Sequence, residues 1–322
     1  MPNVLVFAEV NDGVLHDVGL QCLSAARQVA GAGGKVTCLL AGHGVAGLAP
    51  ALVAAGADAV AVADDERLAA YVTAPYAKGV GACLDANPAD LLLLAASTVG
   101  NDLGPAVAAA RKAACAVDCD GVAVQNGAIA LRRAGYDRKV MTTFAAAGAG
   151  LVVGTLRDGA APAPVADAAR QGAIGPLAFE LTPAELVSKV LRRDVAKKTV
   201  NLKDAKIIVS AGAGVGSPEG LAIIRELAQT LGAEIGATRA VVDAGWLAAD
   251  HQIGQTGATV RPDVYIACGI SGAVQHRVGM MDARKIVAIN SDGNAPIFRI
   301  AHYKIVGDLK VVVPKLVKLL KA

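Results

Sequence analysis

Between Asp263 and His276 a short apolar run, residues 264–268, breaks into Gly269-Ile270-Ser271-Gly272 and restarts as a helix-like stretch carrying Gln275 and His276. A strand, a glycine turn and a helix start together present free backbone N–H groups and the positive end of a helix dipole. That combination suits a phosphate or pyrophosphate. Upstream, Thr238-Arg239 sets a hydroxyl beside a guanidinium at a strand end. At the mouth of a crevice, such a hydroxyl can hydrogen-bond a ring nitrogen while the planar cation lies against the ring. The same arginine has an ordinary use, pairing with a surface carboxylate such as Asp243. Ile253, Gly254, Gln255 and Thr256 form a glycine-framed turn able to offer N–H groups and a hydroxyl to phosphate or ribitol oxygens. Asn290 at a strand end and Asp308-Leu309 at a helix start have full structural explanations on their own, the Asp as a helix cap.

A second glycine run, Gly212-Ala213-Gly214-Val215-Gly216, follows an apolar strand and precedes a helix, and Glu234 falls about where a ribose-binding acid would stand. A nicotinamide-dependent oxidoreductase is therefore one reading, and a purely structural strand-to-helix turn is another. Other chemistries lack their residues. Gly269-Ile270-Ser271-Gly272-Ala273 does not fit a hydrolase elbow, and no His pair at helical spacing or His–carboxylate cluster suggests a metal. His16, His43, His251 and His302 read as ordinary surface or core histidines. Without a nucleophile–base pair or a carboxylate dyad, the chain reads as a carrier of a redox cofactor and not as an enzyme with its own substrate.

The elements that must position these residues follow from the apolar pattern. Strands are expected at residues 4–7, 35–40, 59–63 and 91–96, with helices at 18–30, 66–84 and 103–113. Strand and helix in alternation imply a parallel sheet covered on both faces. Residues 122–153 read as an antiparallel extension of that sheet, 183–191 as a helix, and the basic stretch 192–198 as a linker. Beyond it, strands are expected at 206–210, 238–242, 264–268 and 286–290, and helices at 219–231 and 309–320. The fold class is α/β: two doubly wound, mostly parallel sheets in domains 1–195 and 196–322, the second Rossmann-like.

Composition agrees. Hydrophobic residues make up 54% but aromatics only 3%, so small and branched aliphatics must fill tightly packed layers. A net charge of +3, with no basic run interleaved with aromatics, argues against nucleic acid. The longest apolar run, residues 91–96, is far short of the roughly 18 needed to span a membrane. Only Cys115 and Cys119 stand near one another, not at C-x-x-C spacing, and most of the six cysteines read as buried hydrophobes. The opening MPNVLVFAEV lacks the marks of a leader, which points to a bacterial cytoplasm, or to the mitochondrial matrix if a leader has been removed.

Taken in order, Gly236-Ala237-Thr238-Arg239, Gly254-Gln255-Thr256-Gly257, residues 263–276 and Val287-Ala288-Ile289-Asn290 resemble the FAD domain of electron-transfer flavoprotein alpha subunits. The resemblance extends over the chain and is strongest from Lys206 to Asp308. It implies one FAD bound by residues 196–322. Thr238 and Arg239 would meet the isoalloxazine, where a fixed positive charge favours negative charge on the ring. The Ile253–Thr256 turn would form the cofactor loop, and Ser271 and Gly272 would hold the pyrophosphate. Ala273, Val274 and Gln275 would continue along the cofactor, and His276 would reach the ring's O2/N1 edge. Asn290, Asp308 and Leu309 would contact the adenosine half. Where the family usually reads Gly-Gly-Arg-Gly, with the arginine near the diphosphate, this chain has Ala213.

The resemblance also implies a heterodimer in which residues 1–195 contact a beta subunit. AMP, or a second FAD in a bifurcating relative, would sit on that subunit and not on this chain. Electrons would arrive from flavin dehydrogenases of the acyl-CoA dehydrogenase type, in fatty acid oxidation, and leave to a membrane quinone reductase. A flavin-bifurcating or nitrogen-fixation-linked alpha subunit is the alternative within the same fold.

Overall fold

A computed structural model describes residues 1–136, 140–146, 150–193 and 200–321. The chain divides into two compact units, Met1–Arg193 and Asp194–Ala322. Residues 194–198 of the expected linker lie outside the described residues.

In the first unit the apolar runs become β1 (Val4–Ala8), a small hairpin of β2 (Val10–Asn11) and β3 (Val14–Leu15), α1 (Asp17–Ala30) and β4 (Val36–Gly42). There follow α2 (Ala49–Ala54), β5 (Ala59–Asp64), α3 (Thr73–Ala86), β6 (Leu91–Ala95) and α4 (Thr98–Arg111). The remaining strands are β7 (Ala114–Cys119), β8 (Gly121–Gln125), β9 (Ala128–Gly135), β10 (Val140–Ala145), β11 (Val152–Leu156) and β12 (Ala173–Pro176). Seven strands pair in the order β12-β5-β4-β1-β6-β11-β7, every pair parallel. Successive side chains of a strand face opposite ways. Leu91 and Leu93 of β6 therefore enter one hydrophobic cluster and Leu92 and Leu94 the other, which is why the run is apolar without alternation.

The helix expected at 66–84 starts only at Thr73, as α3, and two further expectations in this unit fail. The antiparallel strands β8, β9 and β10 form a separate three-stranded sheet, not an extension of the main one, and β11 returns to the main sheet as a parallel strand between β6 and β7. The turn Asn126-Gly127, with φ of 51° and 79°, closes the β8–β9 hairpin on itself. Residues 183–191 are not helical. The Thr182 N–H donates to Glu185 Oε2 at 2.7 Å, half of a capping box, but the turn does not propagate. Val187 and Leu191 stay 80% and 90% exposed, so no packed apolar face supports a helix there.

The second unit contains β13 (Ile207–Ala211), α5 (Leu221–Leu231), β14 (Glu234–Ala237), α6 (Arg239–Asp243), β15 (Val264–Cys268), α7 (Val274–Arg277), β16 (Lys285–Asn290), β17 (Tyr303–Val306) and α8 (Leu309–Leu320). Its five strands are all parallel, in the order β14-β13-β15-β16-β17. Val209, Ile266 and Cys268 pack with α5 and with Leu309, Val313 and Val317 of α8, residues one helical turn apart. Ile208, Tyr265 and Ala267 face the opposite layer. Residues 238–242, expected as a strand, are the Thr238 cap and α6, and the strand is the preceding β14. A short apolar run does not distinguish the two states by period. Among the described residues no helix is long and apolar enough to cross a membrane.

Candidate functional site

The strand order of the second unit reverses between β13 and β15: the chain leaves β13 toward β14 on one side and enters β15 on the other. Loops leaving the carboxyl ends of those strands diverge and open a crevice, the usual ligand position in a doubly wound sheet. Here the crevice has a volume of about 720 Å³, in the range of cofactor sites. Its walls are residues 212–214 after β13, 238–240 and 252–256 after β14, 269–271, 273, 275 and 276 after β15, and 290, 292, 295 and 296 at and beyond the end of β16.

Most of the candidate residues meet there. Thr238, Arg239, Ile253, Gly254, Gln255, Thr256, Ser271, Ala273, Gln275, His276 and Asn290 all line the crevice. Thr238 stands where β14 ends and α6 begins, its N–H bonded to the Ala211 carbonyl at 3.0 Å. Its Oγ1 is buried without a hydrogen-bond partner. A buried hydroxyl left in that way costs about 1–3 kcal/mol, so this wall is shaped for a polar ligand atom. Arg239 reaches Asp243 one turn along α6, Nε to Oδ2 3.1 Å, with the side chains 71% and 62% exposed. An exposed pair of this spacing contributes only about 0.3–0.5 kcal/mol, so the guanidinium is readily drawn to a ligand.

The turn after β14 is pressed against the segment after β15. The Gln255 N–H donates to the Gln275 carbonyl at 2.7 Å, and Gln252 Nε2 donates to Thr256 Oγ1 at 2.9 Å. Gly254 has φ of 141°, and a Cβ there would stand 2.7 Å from the Gln275 carbonyl oxygen.

His276 lies within α7. Its Nδ1 is 3.0 Å from the Ile253 carbonyl and its Nε2 is 2.9 Å from the Tyr265 hydroxyl, and the residue is only 6% exposed. Burial pulls its pKa from 6.5 down to about 4, partly opposed by the Ile253 hydrogen bond. Both ring nitrogens thus have partners inside the protein, on a residue that also lines the crevice. Gly272 is buried with Ile297 packed against it, where a Cβ would lie 2.2 Å from the Ile297 nitrogen, and Val274 also lies off the wall. Asp308 caps α8 by accepting from the Lys310 N–H at 2.8 Å, and Leu309 is buried beneath Gly269. Neither lines the crevice. Asn290 does, but Nδ2 donates to the Ile270 carbonyl at 2.9 Å and Oδ1 accepts from Asp292 N–H at 2.9 Å. Its side chain organises the turn that carries Asp292.

The run Gly212–Gly216, treated in the sequence as a separate nicotinamide loop, opens into this same crevice. Two of its N–H groups are already used: Gly212 donates to the Cys268 carbonyl at 2.9 Å and Gly214 to the Gly269 carbonyl at 3.0 Å. Glu234 begins β14 and so lies at the amino end of the sheet, away from the crevice. The nicotinamide reading loses its acid. Ala213 is exposed at the crevice wall. Asp292, Ala295 and Pro296 were missed, although they follow the carboxyl end of β16, where any strand of such a sheet can contribute. Among the described residues no His, Cys, Asp or Glu cluster could hold a metal. His251 and His302 have backbone partners, as their ordinary reading requires.

Comparison with known proteins converges on one family. The family description "Electron transfer flavoprotein domain" matches residues 4–180, and "Electron transfer flavoprotein FAD-binding domain" matches residues 201–281. Electron transfer flavoprotein subunit alpha of Thermoanaerobacterium thermosaccharolyticum is 40% identical over 322 residues, covering 99% of this chain and 98% of that one. Protein FixB of Clostridium saccharobutylicum is 41% identical over 98% of this chain and 95% of its own. Electron transfer flavoprotein subunit alpha of Bacillus subtilis is 38% identical over 97% and 95%.

Proposed function

The chain belongs to the electron transfer flavoprotein alpha-subunit family, and from that premise we propose that it carries electrons on one FAD held in the crevice of its second unit. The buried, unpartnered Thr238 hydroxyl at the switch-point wall is the observation that carries the reading. FAD, when bound, supplies the electron chemistry, and the protein supplies position and charge. Thr238 would donate to or accept from a ring atom, and Arg239 would lie over the ring. The Ile253–Thr256 turn and Ser271, Ala273 and Gln275 would offer polar atoms along the ribitol and diphosphate. Asn290 would support the adenosine end through the turn it organises.

Family membership supports a heterodimer with a beta subunit, docked through residues 1–195, with AMP or a second FAD held by that partner. It likewise supports flavin dehydrogenases as donors, a membrane quinone reductase as acceptor, and a bacterial cytoplasmic setting. Relatives named FixB match as well as those named alpha subunit, so a bifurcating or FixB-type carrier is the second reading. Counting flavins separates the two: one FAD per heterodimer supports the first, two the second. The function itself is tested by co-purifying the chain with its companion subunit and recording the visible spectrum beside size-exclusion light scattering. A colourless complex, or a lone monomer holding stoichiometric flavin, would overturn the respective half of the proposal.

Two substitutions probe the charge at the walls. Arg239→Ala should lower the flavin's potential. Unit charges about 4 Å apart interact by about 1 kcal/mol in bulk water and about 4 kcal/mol near a protein surface, so a one-electron shift of roughly 50 mV or more is expected. Arg239→Lys should recover only part of it, because an ammonium does not stack as a plane. An unchanged potential in a spectroelectrochemical titration would remove Arg239 from the ring. Ala213→Arg should slow FAD release about tenfold, the lower end of a charge-assisted hydrogen bond of about 1.5–3 kcal/mol. Identical release rates by flavin fluorescence would show that this turn does not face the diphosphate.

A further inference from the structure

We propose that Lys310, in the first turn of α8, supplies the cation that meets the cofactor's diphosphate in this chain, in place of the side chain that Ala213 lacks. The assignment rests on the FAD reading above and adds to it a residue from outside the crevice wall.

The charges of the wall pose the question. A diphosphate carries two negative charges, yet among the described wall residues Arg239 is the one arginine and there is no lysine. Arg239 stands after β14, where it is assigned to the ring, and Asp292 adds a carboxylate. The backbone does not make up the difference at the turn after β13. Four of the five N–H groups of Gly212–Gly216 are used within the fold: Gly212 donates to the Cys268 carbonyl, Gly214 to that of Gly269, Val215 to that of Gly212 and Gly216 to that of Ala213, at 2.9–3.1 Å. An anion against this turn therefore needs a charged side chain as its partner, and Ala213 is not one.

Packing sets Lys310 beside the same turn. Leu309 is buried against Gly269, where an added Cβ would stand 2.8 Å from Leu309 Cδ2 and 2.9 Å from Gly214 Cα. The start of α8, the turn after β15 and the turn after β13 are thus in direct contact. Asp308 fixes the next residue by accepting from the Lys310 N–H at 2.8 Å. From there the side chain reaches the end of the glycine run: a Cβ built at Gly216 would stand 4.0 Å from Lys310 Nζ. The Gly216 N–H is bonded to the Ala213 carbonyl at 3.0 Å, so the ammonium lies beside the turn that lacks its own cation. Lys310 is exposed, and its flexible stem can re-aim a compact charge with three donors at phosphate oxygens.

The test uses the full chain with its companion subunit, loaded with FAD. Lys310→Met should speed FAD release roughly tenfold, the scale of one charge-assisted contact, and should shift the 31P resonances of the bound diphosphate. Lys310→Arg should keep both near wild type. Lys318→Met is the control: it removes the same charge from the same helix, roughly 12 Å further along its axis, and should change neither. Ala213→Arg added to Lys310→Met should restore slow release, because either side chain can serve the turn. Release from Lys310→Met no faster than from Lys318→Met would overturn the proposal. Faster release with unmoved 31P resonances would overturn it too, since the lysine would then act away from the phosphates. A wild-type complex that takes up no FAD would overturn the FAD reading and this assignment with it, an outcome distinct from a flavin-loaded complex indifferent to Lys310.

Discussion

Gly254→Ala should strip the crevice of its cofactor while leaving the sheet folded. At φ of 141° an L-residue is strained, at a cost of about 1–3 kcal/mol. The added Cβ would also stand 2.7 Å from the Gln275 carbonyl oxygen and 3.3 Å from His276 Cα. Both are backbone atoms, so no rotamer change relieves the contact. The loop must move, and Ile253 and Gln255 move with it. Tenfold or greater weakening of FAD binding is expected. Gly232→Ala is the control. That glycine ends α5 in a left-handed conformation, φ 60°, with nothing within 4 Å of an added Cβ. It should lower stability by about 1–2 kcal/mol and leave flavin affinity alone. Equal affinities for wild type and Gly254→Ala in a fluorescence titration would show that the loop does not shape the binding site.

What could be read from the sequence was whatever a local pattern determines. The apolar run at Leu91–Leu94 declares a strand buried on both faces, and the spacing of Leu309, Val313 and Val317 declares the face of α8. The crevice residues were legible for a related reason. In a parallel sheet, ligands meet the chain just past the strands' carboxyl ends, so turns after apolar runs are the places to look. Failures came where distant packing decides. Ala240, Val241 and Val242 are as compatible with a strand as with the single helical turn they form at the end of β14. Residues 183–191 carry a helix start and an apolar repeat, yet expose that repeat, so propensity had no support from packing. His276 shows the same limit at the site. Its position in sequence suggested a reach toward a cofactor, whereas in the fold its ring nitrogens also meet the Tyr265 hydroxyl and the Ile253 carbonyl. No local signal announces that pairing.

The neutral, buried His276 should make the second unit sensitive to acid. Burial lowers its pKa in the folded chain to about 4, against 6.5 when unfolded. Below pH 6.5 the unfolded state therefore binds a proton that the folded state refuses, and stability falls as pH drops until the folded pKa is passed. A difference of this size is worth about 3 kcal/mol, fully present above pH 6.5 and mostly lost by pH 4.5. His276→Gln keeps a side chain able to donate to the Ile253 carbonyl and accept from the Tyr265 hydroxyl, but it does not titrate. At pH 7.5 the variant should be less stable than wild type, since an amide does not reproduce both contacts of the ring. Toward pH 4.5 that gap should narrow or reverse, because only the wild type loses the proton-linked contribution. Urea unfolding followed by Trp246, the chain's one tryptophan, half-buried against the second unit's core, reads this directly. A gap that stays constant between pH 7.5 and 4.5 would mean that His276 accepts its proton in the folded state as easily as in water, and that its ring is not sealed between Tyr265 and Ile253.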